Sequence, residues 1–145
     1  MNSTLIIMVS PEIRQLVFSR AAYRCEYCHS PLSHSCQPFD VEHIIPLSKN
    51  GSNELHNLAC ACGGCNGHKF TKTHGFDTVS EQVVPRYHPR SMKWRYHFTW
   101  SDDFTELIGI SPTGRITMET LHLNRTGNIN MRQLLLLVGL HPPKI

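Results

Sequence analysis

The chain has 145 residues, 40% of them hydrophobic, which is enough for one domain with a modest core. Its formal net charge of +3 is mild but uneven: from Gln82 to Ser101 there is no acidic residue, while Arg86, Arg90, Lys93 and Arg95 all fall there, which favours a polyanionic partner. No apolar run approaches the ~18 residues of a membrane span, so a membrane role is excluded and a cytoplasmic protein is expected.

In chain order, residues 1–9 read as a flexible N-terminus. Ser10 is an N-cap and Pro11 suits the first helical position. Glu12 complements the positive helix end, and Ile13, Leu16, Val17 and Ala21 follow at helical spacing. His29 to Pro38 reads as loop. Phe39 to Ile45 is rich in strand formers and is stopped by Pro46; Lys49-Asn50-Gly51-Ser52 is a turn, and Leu55 to Cys60 a second extended segment. A short helix is predicted over Asn66 to Phe70. Thr71 to Gln82, poor in apolar residues, reads as a surface linker. Trp94 to Trp100 alternates, with Trp94, Tyr96, Phe98 and Trp100 on one core-facing side, and should pair with Thr105 to Ile110. Helical segments from Arg115 to Asn124 and from Asn130 to Val138, the latter stopped by Gly139, complete the chain.

Two C-x2-C pairs, Cys25/Cys28 and Cys62/Cys65, carry the least ambiguous chemistry. Four thiolates on two tight knuckles suit the tetrahedral geometry of Zn2+, and these are the predicted structural zinc ligands. The alternative is two disulfides, which would need an oxidising compartment; the stretch Leu5 to Val9 lacks the basic lead-in and cleavage site of a secretory signal. Cys36 and Cys60 read as buried apolar thiols, Cys60 being near enough to the second dyad for a ligand exchange.

Between the dyads and just after them lie residues that could begin to supply what phosphodiester hydrolysis needs: an activated water and a cation. Glu42 is a hard oxygen ligand suited to Mg2+ or Mn2+, and His43 is an imidazole that can serve as a base. Asn66 could offer an amide oxygen to the same cation, whereas spacing alone gives Asn57 no ligand role. Strand alternation would send Glu42 and His43 to opposite faces, so one site needs an irregular strand or a cation at its edge. His68, Lys69, Arg86, Arg90, Lys93 and Arg95 are the candidate nucleic-acid contacts.

The run Glu42-His43-Ile44-Ile45-Pro46, then Gly51 to Leu58 containing Asn57, then Cys62-Gly63-Gly64-Cys65-Asn66-Gly67-His68-Lys69, resembles the HNH endonuclease motif. The resemblance implies an α+β fold: a ββα-metal core with a structural zinc knuckle (residues 10–71 with the N-terminal helix) and a small strand/helix extension (72–145) in the same single domain. It implies that His43 deprotonates the attacking water, that Glu42 and Asn66 hold a catalytic Mg2+ or Mn2+, and that Asn57 bonds across the hairpin to hold the histidine. It further implies a DNA substrate, with RNA open, and 5′-phosphate and 3′-hydroxyl products. The sequence departs from the commoner pattern in having Glu at the first position and Asn at the last. The stretch from Tyr87-His88-Pro89-Arg90 through Gly109 to Arg115 and Gly139 to Pro143 is similar to the tail of small stand-alone bacterial HNH proteins, and brings no assigned chemistry. The competing reading is a zinc-dependent nucleic-acid-binding module without activity. A duplex cutter would gain a second site as a homodimer.

Overall fold

The computed structural model describes residues 9–145, so the expected flexible N-terminus falls, Val9 apart, outside the described residues. Helix α1 (Pro11–Arg20) begins as its sequence dictates: the Ser10 hydroxyl accepts from the Ile13 amide at 3.2 Å, and Pro11 occupies a position where its missing N–H leaves no bond unmade. It buries Val17 and Phe18, while Leu16 stays exposed. Ala22 and Tyr23, both at positive φ, then turn the chain into the first cysteine dyad.

Strands β1 (Asp40–His43) and β2 (Leu58–Ala61) form an antiparallel hairpin in the register Asp40↔Ala61, Glu42↔Ala59 and His43↔Leu58. The predicted Asn-Gly turn sits in its connection. Asn50 takes a left-handed conformation, and a Cβ on Gly51 would collide with the Ile45 carbonyl. Leu55–Asn57, expected to be extended, is a 3-10 turn, and the strand begins only at Leu58. Helix α2 (Gly63–Lys69) starts at the second dyad rather than at Asn66, with the Cys62 sulfur accepting from the Cys65 amide at 3.4 Å.

The segment expected as a linker is instead the hairpin β3 (His74–Asp77) and β4 (Gln82–Pro85). Its anchor is remote. Arg115 grips the Asp77 carboxylate with two bonds of 2.9 and 3.0 Å, holding that carboxyl well below the usual carboxylate range. Farther on, β5 (Phe98–Trp100) pairs with β6 (Leu107–Gly109) as expected. Trp94–Tyr96, however, is a 3-10 turn, and Tyr96 departs from the apolar face to stand 60% exposed. Helix α3 (Pro112–Leu121) is capped by the Ser111 hydroxyl on the Gly114 amide at 2.9 Å, so it starts before the predicted Arg115. Helix α4 (Thr126–Leu137) likewise starts ahead of Asn130.

One apolar cluster unites the two halves: Val17, Phe18, Tyr27, Phe39 and Leu58 pack with Tyr87, Phe98, Leu107, Leu121 and Leu123. Cys60 is buried in it, whereas Cys36, expected to be buried, is exposed. No helix among the described residues is long and apolar enough to cross a membrane.

Gly114 lies in α3, where exchanging glycine for alanine ordinarily stabilises by ~0.5–1 kcal/mol. Here a Cβ would run into the His97 carbonyl oxygen and approach Gly109 Cα to 3.3 Å. The expected outcome for Gly114→Ala is therefore a loss of roughly 1–3 kcal/mol, read as a fall in Tm on the order of 5 °C. A rise in Tm would refute the close approach of α3 to the segment at His97.

Candidate metal centre and hydrolytic site

The sulfur atoms of Cys25, Cys28, Cys62 and Cys65 all lie within 4.8 Å of one another, and none is in a disulfide. Sulfurs held ~2.3 Å from a common ion in a tetrahedron stand about 3.8 Å apart; Cys28 and Cys62 are separated by 3.7 Å. The donor set therefore fits zinc. Among the described residues this is the one group of three or more His, Cys, Asp or Glu side chains so gathered.

Arg125, just before α4, closes over this cluster. Its guanidinium lies 3.5 Å from the Cys62 sulfur and 3.6 Å from that of Cys65, and donates to the Leu121 carbonyl at 3.2 Å. A tetrathiolate zinc centre carries excess negative charge, which this cation offsets. Burial works against the Arg125 charge, but the surrounding sulfurs of Cys65, Cys28 and Cys62 hold its pKa above the ordinary value. Gly64 leaves it room, since a Cβ there would stand 2.6 Å from the guanidinium.

The two residues inside the first dyad both point inward. The Glu26 carboxylate accepts from the Cys60 amide at 2.8 Å and pairs with Arg90 at 2.6 Å. Burial raises its pKa, and the Cys60 amide and Arg90 oppose that rise. The Tyr27 hydroxyl donates to Oε1 of Glu42. Glu42 is only 4% exposed. Its Oε2 makes no hydrogen bond of good geometry, but the Lys69 ammonium stands 2.6 Å from it as an ion pair. Lys69, itself 2% exposed, also donates to the His43 carbonyl at 2.9 Å. Burial lowers the Lys69 pKa and Glu42 opposes that.

Asn66 sits one turn before Lys69 on α2 and donates from its amide nitrogen to Asp40 at 3.3 Å. Its amide oxygen has no hydrogen-bond partner among the described residues. The Glu42 carboxylate and the amide oxygen on the facing helix are hard donors of the kind a divalent cation takes, with the Lys69 ammonium already standing against the carboxylate.

His43 ends β1 half-buried, with Nε2 2.8 Å from the Asn53 side-chain oxygen. Asn57 grips the backbone beyond it: its side-chain oxygen accepts from the Ile45 amide at 2.9 Å, and its nitrogen donates to the carbonyls of Ile45 at 3.0 Å and Ser52 at 2.8 Å.

The basic candidates divide. Arg86 is 5% exposed and donates to the carbonyls of Ile44 at 2.7 Å and of Lys72 and Tyr87 at 3.1 Å, which makes it scaffold. Arg90 is tied to Glu26. Lys93 and Arg95 are exposed and flank the Tyr96 ring at 5.9 and 5.4 Å. His68 is exposed, its ring 4.5 Å from that of His122.

Tyr27, Asn53 and Arg125 were not singled out by sequence reasoning. The turn composition around Asn53 was the only local signal for that residue. Nothing near Arg125 announces a partner so far back in the chain.

A β-hairpin, a helix and a four-cysteine knuckle define a ββα-metal core of the zinc-stapled kind. The family model described as HNH endonuclease matches residues 25–72. No curated protein and no solved structure gives a significant match.

Metal analysis of the purified protein should find one zinc per chain, lost in Cys62→Ser. Arg125→Ala should keep the zinc but weaken its affinity by ~10-fold or more, measured by chelator competition. Unchanged affinity would remove Arg125 from the centre.

Proposed function

We propose that this chain is a divalent-cation-dependent endonuclease that hydrolyses phosphodiester bonds of DNA, with His43 as general base. The observation that carries the reading is the placement of His43. It ends β1 beside Glu42, with its imidazole oriented by Asn53 and the following backbone clamped by Asn57, inside the segment that matches the HNH model.

When Asn53 accepts the Nε2 proton, Nδ1 is left with the lone pair that can take a proton from an attacking water. Asn57 fixes the backbone at Ile45, which limits drift of the imidazole relative to a bound phosphate. Glu42 and Asn66 are the residues that would hold Mg2+ or Mn2+. Such a cation, when bound, polarises the phosphate and stabilises the departing 3′ oxygen, giving a 5′-phosphate and a 3′-hydroxyl. With one carboxylate and one amide supplied by the protein, affinity for the cation is expected to be weak and millimolar additions to be needed.

Lys93, Arg95 and His68 are proposed to meet the nucleic-acid backbone, and exposed Tyr96 between the two cations suits a stacked base. Residues 72–145 are taken as part of the same folding unit, supported by the reach of Arg86, Arg90 and Arg125 into the HNH segment. A cytoplasmic protein and a homodimer on duplex substrate complete the proposal. The second reading, a zinc-dependent binding module that does not cut, is favoured by one observation: the Lys69 ammonium already neutralises Glu42.

Supercoiled plasmid incubated with zinc-loaded protein should be nicked or linearised with Mg2+ or Mn2+ and left intact with EDTA. His43→Ala should lower the rate by ~100-fold or more while retaining DNA binding at low salt. Equal cutting by His43→Ala would remove the base assignment, and binding without cutting by the intact protein would favour the second reading.

A further inference from the structure

We infer that Lys69 is a resident counter-cation of the hydrolytic site: it occupies Glu42, and a divalent cation gains that carboxylate only by displacing the ammonium. The inference rests on the reading of Glu42 as the acid that meets the cation.

The geometry behind it is a pair of facing rungs. Asp40 and Glu42 alternate onto one face of β1, and Asn66 and Lys69 lie one turn apart on α2. Asp40 meets Asn66 at 3.3 Å, and Glu42 meets Lys69 at 2.6 Å. The second rung is almost wholly out of water, with Glu42 at 4% and Lys69 at 2% exposure. An ionised carboxylate this deep needs an opposite charge beside it, and Lys69 supplies the nearest one. Arg86 adds positive charge over the Tyr27 ring, but its donors go to three carbonyls, so it cannot take the place of Lys69 at Oε2.

Two consequences follow from this arrangement. A cation approaching Glu42 meets a like charge at 2.6 Å from the oxygen it would bind, so its affinity is set by competition with the lysine. The same ammonium also donates to the His43 carbonyl, so its displacement releases the backbone of the base at the moment the acid changes partner. Cation uptake and placement of His43 are thereby linked through one side chain. Tyr27, donating to Oε1, holds the carboxylate from the other side and adds to the cost of reorienting it.

The test is Mn2+ binding to the zinc-loaded full-length protein without nucleic acid, followed by calorimetry and by the electron paramagnetic resonance of free Mn2+. Lys69→Met is expected to bind Mn2+ ~10-fold or more tightly than wild type. It should also lose Tm without Mn2+ and recover it when the ion is added, because the buried carboxylate then regains a cation. Glu42→Gln should abolish the tightened binding when combined with Lys69→Met. Tyr27→Phe, nearly isosteric, provides the same comparison should Lys69→Met fail to fold, and should shift affinity in the same direction by less. Unchanged or weakened Mn2+ binding in the folded variants overturns the inference, as does Mn2+ binding that is indifferent to Glu42→Gln. The readout needs no cleavage. Tightened Mn2+ binding in a protein that never nicks plasmid would sink the nuclease reading alone, whereas cutting with unaltered Mn2+ affinity would sink this one alone.

Discussion

The convergence of four sulfurs is the constraint from which the rest of the site takes its geometry. It ties residues 25–28 to residues 62–65, and Glu42, His43, Asn57, Asn66 and Lys69 lie within that loop or immediately after it. Because α2 begins on the second dyad, the sulfur cluster fixes not only where the helix lies but how it is rotated. A helix turns by about 100° per residue, so one inserted residue after Cys65 would carry Asn66 and Lys69 away from β1. The first dyad contributes from the opposite side, since Tyr27 reaches Glu42 and Glu26 reaches the backbone of β2. The four-cysteine cluster thus sets the rotation and depth of the groups that surround Glu42.

The C-terminal half is bound into the same constraint by cations rather than by strand pairing. Arg125 lies over the cysteine sulfurs, Arg90 neutralises Glu26 inside the first dyad, and Arg86 donates to the Ile44 carbonyl just after His43. Each is a buried or half-buried guanidinium with several donors in fixed directions, which suits it to join backbone carbonyls and anionic groups that distant parts of the chain bring together. The uneven basic stretch in the sequence therefore has two uses: Arg86 is buried and Arg90 reaches in from the surface to Glu26, while Lys93 and Arg95 remain exposed.

What could be read in the sequence was what depends on local spacing. The two cysteine dyads, the hairpin around Asn50-Gly51, the Ser10 and Pro11 start of α1 and the pairing of β5 with β6 all carry their cause within a few residues. The misreadings have remote causes. The β3/β4 hairpin looks like a linker because its outward residues are mixed and its anchor, Arg115 on Asp77, lies in another element. The alternating aromatic run looked like one strand, but the chain turns at Trp94–Tyr96 before Phe98 enters the sheet, which throws Tyr96 outward. Of the candidate site residues, the sequence named Glu42, His43, Asn57 and Asn66 but could not show that Lys69 would be buried against Glu42, because an exposed helical lysine looks the same in one dimension.

The alternation of β1 resolves how two adjacent residues could serve one reaction. Glu42 and His43 do take opposite sides: the acid goes into the interior, and the base stays half-buried at the strand's end. A carboxylate so enclosed, with Tyr27 on one oxygen and Lys69 beside the other, has no route to a water in front of a bound phosphate. The imidazole stands at the strand's end, where the strand stops at His43 and Asn57 clamps the backbone at Ile45. Burial therefore separates the proposed roles more sharply than residue type does. Of the two groups His43 is the more open to solvent, so under the proposed function the base is His43 and Glu42 acts only through the cation that stands against it.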